Sequence, residues 1–131
     1  MPRAVSPFQL DRFEPQPPYA EQEGVSHSRI LISKTFSGDL EARSTVEMLT
    51  ARNDPLGAGY VALERIDGTL KGRRGTFALL HLGTMIGDTS SGSWPVSPGS
   101  GTGELEGISG VARIEIDEAG GHTLFLDYEL S

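Results

Sequence analysis

The chain has 131 residues, the length of one domain, with 17 glycines, 8 prolines, no cysteine and a formal net charge of −7. Without cysteine there are no disulfides, thiolate nucleophiles or cysteine metal sites, and the negative field disfavours nucleic acid and anionic membrane surfaces as partners. No apolar run approaches the roughly 20 residues of a membrane span, and the N-terminus lacks the apolar segment of a signal peptide, so a cytoplasmic protein is expected.

Frequent glycine and proline, with few stretches favourable to helix, predict an all-β domain of short strands and turns. Residues 1–7 read as a flexible N-terminus ahead of a single domain over 8–130. Phe8 to Phe13 (FQLDRF) alternates apolar with polar as a half-buried strand does. The next stretch, EPQPPYAEQEG, carries three prolines that remove backbone donors, and it reads as a surface connection. Ser28 to Phe36 (SRILISKTF) is a β-branched strand. Residues 41–52 suit a short helix or a strand, and the context favours strand. Asn53 to Gly57 (NDPLG) is a turn, and Gly59 to Ile66 (GYVALERI) is a strand.

Asp67-Gly68 is a hairpin dipeptide that tolerates the positive φ of a type I′ turn. If it turns the chain, one face carries Tyr60, Ala62, Glu64, Ile66, Thr69, Lys71, Arg73, Gly75, Phe77, Leu79 and His81. The other carries Val61, Leu63, Arg65, Leu70, Gly72, Arg74, Thr76, Ala78 and Leu80. A bulge near Gly72 or Gly75 would exchange the faces beyond it. Residues 87–103 are polar and glycine-rich, with Trp94 and Val96 suggesting a short strand. Val111 to Asp117 and His122 to Leu130 are strands joined by a turn over Glu118 to Gly121. The total is seven or eight strands in near-sequential hairpins.

The stretch PGSGTGELEGISG, from Pro98 to Gly110, has no lysine to serve a phosphate, and Glu104 and Glu106 would repel one. Leu105 and Ile108 make it too apolar for a linker. It reads as a structured corner, with Thr102 capping a short helical turn near 102–108 and Gly110 stopping it.

GYVALERIDGTLKGRRGTFALLHLGT, SWPVSPGSGTGELEGISG and HTLFLDYEL resemble the bacterial family known as domain of unknown function 3224, a small β-barrel related in fold to allene oxide cyclase. The resemblance covers residues 8–130. Its specific parts are Gly72-Arg73-x-Gly75-x-Phe77, His81 followed by Gly83, and Pro98 to Leu105. The Gly-Thr-Gly corner is similar to one in dirigent proteins and allene oxide cyclases. Phe13 stands where the pattern has tryptophan, and Ala42 where it has glycine. The resemblance implies a closed or nearly closed antiparallel barrel of seven to eight strands, and it carries no established activity.

An eight-strand barrel has an interior that side chains fill, or that holds one small ligand. The expected register sets Glu64 diagonally from Arg73 with Tyr60 and His81 nearby, suited to binding a carboxylate or to proton transfer. The same pair also reads as a structural ion pair fixing register. Likewise, His81 reads either as a strand-end histidine bonded to backbone or as a general base. The candidate catalytic residues are Glu64, Arg73 and His81, and the candidate ligand-binding residues are Tyr60, Glu64, Arg73, Phe77, His81 and Trp94. His27, His81 and His122 lack ligand spacing, so neither a metal nor a cofactor is expected. These residues point to a barrel binding an apolar or carboxylate-bearing small molecule. The resemblance to allene oxide cyclase implies an alternative, a cofactor-independent cyclase or isomerase acting on a lipid-like or polyketide-like substrate. A structural or assembly barrel, a homo-oligomer of two or three chains joined through Val61, Leu63 and Leu80, is the third reading.

Overall fold

In the computed structural model, which describes residues 2–53 and 56–131, period-two alternation resolves into nine strands. They are β1 (Arg3–Pro15), β2 (Ala20–Gln22), β3 (Val25–Phe36), β4 (Leu40–Asn53), β5 (Gly57–Leu70), β6 (Arg73–Ile86), β7 (Thr89–Pro95), β8 (Ile108–Ile116) and β9 (His122–Leu130). A single 3-10 turn, Gly103–Leu105, precedes β8. Sequence neighbours pair antiparallel from β3 through to β9, and β1 pairs with both β9 and β3, so eight strands close into a barrel. Closure is tightest away from the β7–β8 seam, where only Trp94↔Ala112 and Pro95↔Val111 pair and the two strands diverge beyond them. The short β2 continues the β1 ladder along the upper part of β3. Among the described residues no helix is long and apolar enough to cross a membrane.

The first strand begins earlier than expected. Arg3 to Phe8 pair with Asp127 to His122, and Ala4 and Ser6 are buried, so most of residues 1–7 is a barrel stave rather than a flexible end. The proline-rich connection is likewise partly strand, since β1 runs to Pro15 and β2 follows. Met1, and Asp54 and Pro55 of the expected turn at 53–57, lie outside the described residues. Residues 41–52 are strand.

The hairpin after β5 turns at Lys71-Gly72, with φ of 46° and 85°, and not at Asp67-Gly68. The ladder from Ala58↔Met85 to Leu70↔Arg73 is unbroken and has no bulge. A shift of four residues preserves parity, so Tyr60, Ala62, Glu64 and Ile66 still share a face with Phe77, Leu79 and His81. Leu70, however, changes sides and is fully buried. Gly68 serves packing instead of turning the chain: a Cβ there would collide with the Glu41 carbonyl and with Ala42 on β4. Ala42 thus finds the room it needs opposite a glycine.

The face shared by Glu64 and Phe77 is the interior. The barrel end where β5 turns into β6 is packed with hydrocarbon from Phe36, Leu40, Leu70, Leu105 and Leu126, among others. The corner over 98–110 seals that end. Ser97 N and Thr102 N donate to the Ala78 and Thr76 carbonyls, while Ser100 Oγ and Thr102 Oγ1 accept from Ala78 N and Thr76 N. Four hydrogen bonds thereby carry the ladder of β6 past the end of β7, and Leu105 is inserted as the plug. The Thr102 hydroxyl is engaged with β6 and does not cap the turn. The left-handed residue that follows the turn is Gly107 (φ 84°), not Gly110.

Candidate functional site

Four consecutive strands each send one polar side chain into the middle of the lumen: Lys34 from β3, Ser44 from β4, Glu64 from β5 and His81 from β6. The Glu64 side chain is completely buried, and those of Lys34 and His81 are 7% and 4% exposed. Glu64 Oε1 accepts from Lys34 Nζ at 3.3 Å and stands 2.9 Å from His81 Nε2, while Oε2 accepts from the Ser44 hydroxyl at 2.6 Å. The Lys34 ammonium also lies 4.7 Å from the Phe8 ring centroid, a cation–π contact. Burial pushes the Glu64 carboxyl up, but the His81 hydrogen bond, the Lys34 charge and the Ser44 hydroxyl together hold it below the usual carboxylate range. Glu64 is therefore an ionised carboxylate whose charge Lys34 balances.

Above this belt the lumen opens into a cavity of about 620 Å³, which fits the roughly 300–1,000 Å³ of small-molecule sites. Its wall is chiefly apolar, from Phe13, Ile30, Met48, Tyr60, Met85, Trp94 and Ile116, with Thr50, Arg52, Thr84, Ser90 and Ser91 adding polar groups. Two glycines shape the floor. Gly83 and Gly92 are partners across β6 and β7. A Cβ on Gly83 would overlap the Tyr60 ring, and one on Gly92 would come within 2.8 Å of the Trp94 ring. Tyr60 therefore lies against β6 and Trp94 against β7, directly above His81. The His81 and Trp94 rings meet edge to face with centroids 6.5 Å apart. Trp94 Nε1 is the one buried side-chain polar atom among the described residues with no hydrogen-bond partner.

The expected site is thus brought together in part. Tyr60 and Trp94 line the cavity, and Glu64 and His81 lie beneath it. Phe77 is buried in the hydrocarbon half and does not line it. Arg73 is a correction: with the turn at Lys71-Gly72 it pairs with Leu70 at the sealed end, exposed and remote from Glu64, which faces Leu79. His81 is no strand-end residue; it sits mid-strand and bonds a carboxylate instead of backbone. Lys34 and Ser44 were missed, although Ile30, Ile32, Lys34 and Phe36 share a phase, as do Leu40, Ala42, Ser44 and Val46. Phe13, where tryptophan was expected, stands at the cavity wall. Among the described residues no three histidine, aspartate or glutamate side chains gather to hold a metal ion.

The family model described as "Protein of unknown function (DUF3224)" matches residues 4–128. The chain belongs to the DUF3224 family. A crystal structure of a DUF3224 protein of unknown function from Shewanella oneidensis MR-1 superposes with a TM-score of 0.92 at 38% identity, covering 100% of this chain and 98% of that one. No protein of curated function matches the sequence. For a DUF3224 barrel, function must therefore be argued from the lumen: a sealed apolar half, a neutralised polar belt and an open aromatic cavity above it.

Proposed function

We infer that the protein is a small-molecule-binding barrel whose ligand enters the open end and rests on Tyr60 and Trp94. The observation that carries this reading is the cavity itself. A barrel needed only as a scaffold would pack both halves, whereas here hydrocarbon fills one half and the other is left open beside glycines that make room for two aromatic rings. The ligand class that suits such a wall is apolar and compact, with one or two polar groups for the hydroxyls at the rim. Native mass spectrometry with 1-anilinonaphthalene-8-sulfonate as probe tests this. One bound molecule per folded chain is expected, and a spectrum of empty chains at saturating probe contradicts it.

Two further readings have specific support. A cofactor-independent cyclase or isomerase needs a shaped apolar cavity and few polar groups, because holding a reactive substrate in one conformer removes entropic cost before the chemical step. An assembly role draws on the outer face of β4, β5 and β6. There Leu49, Val61, Leu63, Leu80 and Leu82 are neighbours in register and each 39–52% exposed, a patch suited to a homo-oligomeric contact. A chain without cysteine suits the reducing cytoplasm.

A further inference from the structure

We propose that His81, held by Glu64 and facing Trp94, is a proton-transfer centre for an apolar ligand that carries an enolisable carbonyl group. The proposal rests on the ligand-binding reading above and adds a reaction class to it. An ionised carboxylate only accepts hydrogen bonds, so the 2.9 Å contact with Glu64 fixes the proton on His81 Nε2. In the neutral ring the basic lone pair is then on Nδ1, and among the described residues nothing hydrogen-bonds to it. Lys34 already balances Glu64, so the carboxylate does not depend on His81 for its counter-charge.

The second half of the centre is the Trp94 indole N–H. A buried donor without an acceptor is a cost that most folds avoid; this N–H is enclosed, and a turn of the indole, whose ring lines the cavity, would bring it to an oxygen of a ligand. Imidazole and indole sit edge to face on neighbouring strands. Each lies two residues along its strand from a glycine that borders the cavity, His81 from Gly83 and Trp94 from Gly92. A base and an oxygen-directed donor side by side under an apolar cavity suit one chemistry. The C–H bond next to the carbonyl breaks and its electron pair moves into the enolate. The proton goes to His81 Nδ1 while the enolate oxygen accepts from Trp94 Nε1. Return of that proton to carbon, at the same or a conjugated position, restores the imidazole. No oxidant, reductant or cofactor enters the balance.

The test uses 2-tetralone, an apolar ketone with acidic C–H bonds, in deuterium oxide. Exchange at the carbons flanking the carbonyl is followed by NMR, and 2-naphthol, a planar mimic of the enol, reports binding through its own emission. Intact protein is expected to accelerate exchange roughly a hundredfold over buffer. His81→Gln, which still offers Glu64 a donor, should return exchange to the buffer rate while 2-naphthol still binds, a separation that a purely structural histidine would not give. Should His81→Gln fail to fold, Trp94→Phe leaves the belt intact and should slow exchange at least tenfold, on the order of a lost oxyanion donor. Exchange at the buffer rate in intact protein that binds 2-naphthol, or full exchange in the His81→Gln protein, overturns the proposal and leaves the binding reading standing. If neither compound binds, both fall.

Discussion

Lys34 and Glu64 form a buried ion pair on the inner wall of the barrel, reaching over β4, Nζ to Oε1 at 3.3 Å, with the carboxylate wholly removed from solvent. Taking two charges out of water is costly, and their attraction repays this only while both remain. Glu64→Leu, which leaves the ammonium alone, should lower unfolding free energy by roughly 3–5 kcal/mol in urea titration. The double variant Lys34→Met/Glu64→Leu should be more stable than either single variant, since an apolar pair of similar volume removes both desolvation terms.

The same carboxylate links stability to pH. Its folded-state pKa lies below the usual carboxylate range, so on acidification the unfolded chain takes up its proton first. The contribution of Glu64 is fully present above about pH 4.5 and is lost as pH falls through the depressed folded value. Thermal unfolding followed from pH 7 downward should show stability dropping below that point. The decline should be shallower in the Lys34→Met/Glu64→Leu protein.

Two glycines of β6 should respond differently to alanine. At Gly83 the new methyl meets the Tyr60 ring, which can swing, so Gly83→Ala should cost about 1–3 kcal/mol and weaken 2-naphthol binding as the cavity floor is displaced. At Gly75 the methyl meets the Thr102 backbone carbonyl, part of the stitched corner. Gly75→Ala should therefore be the more damaging by chemical denaturation, with no selective effect on binding.

Leu105, the plug at the sealed end, tests whether the corner is structural. Leu105→Ala should cost about 2–5 kcal/mol, the usual range for removing a buried leucine. Ligand affinity in the folded fraction should be unchanged, because the plug and the cavity are at opposite ends.

Much of this architecture is legible in the sequence because a strand alternates its side chains with period two. Tyr60, Ala62, Glu64 and Ile66 could be assigned one face, and Phe77, Leu79 and His81 another in phase with it, without knowing where the chain turns. Distances between faces demand more. Asp67-Gly68 and Lys71-Gly72 are both hairpin dipeptides, and the choice between them depends on Gly68 being needed for close contact with Ala42, a tertiary fact. Choosing the first produced the diagonal Glu64–Arg73 pair. The true partner, Lys34, belongs to β3, which pairs with neither β5 nor β6, and it reaches Glu64 along the inner wall over β4, beside Ser44. Barrel closure through β1 is equally non-local, which is why Ala4 and Ser6 read as part of a loose end.

Trp94 is the only tryptophan of the chain and stands at the cavity floor, so its emission tests most directly whether the upper lumen receives a small molecule. Titration with 1-anilinonaphthalene-8-sulfonate should quench Trp94 by energy transfer, saturating at one probe per chain. Because the outer patch on β4 to β6 could also attract this probe, the decisive comparison is Ala58→Phe, which fills the cavity and leaves that patch untouched. Saturable quenching that disappears in Ala58→Phe is the expected result, and quenching that persists unchanged there, or never saturates, would contradict an open ligand-binding lumen.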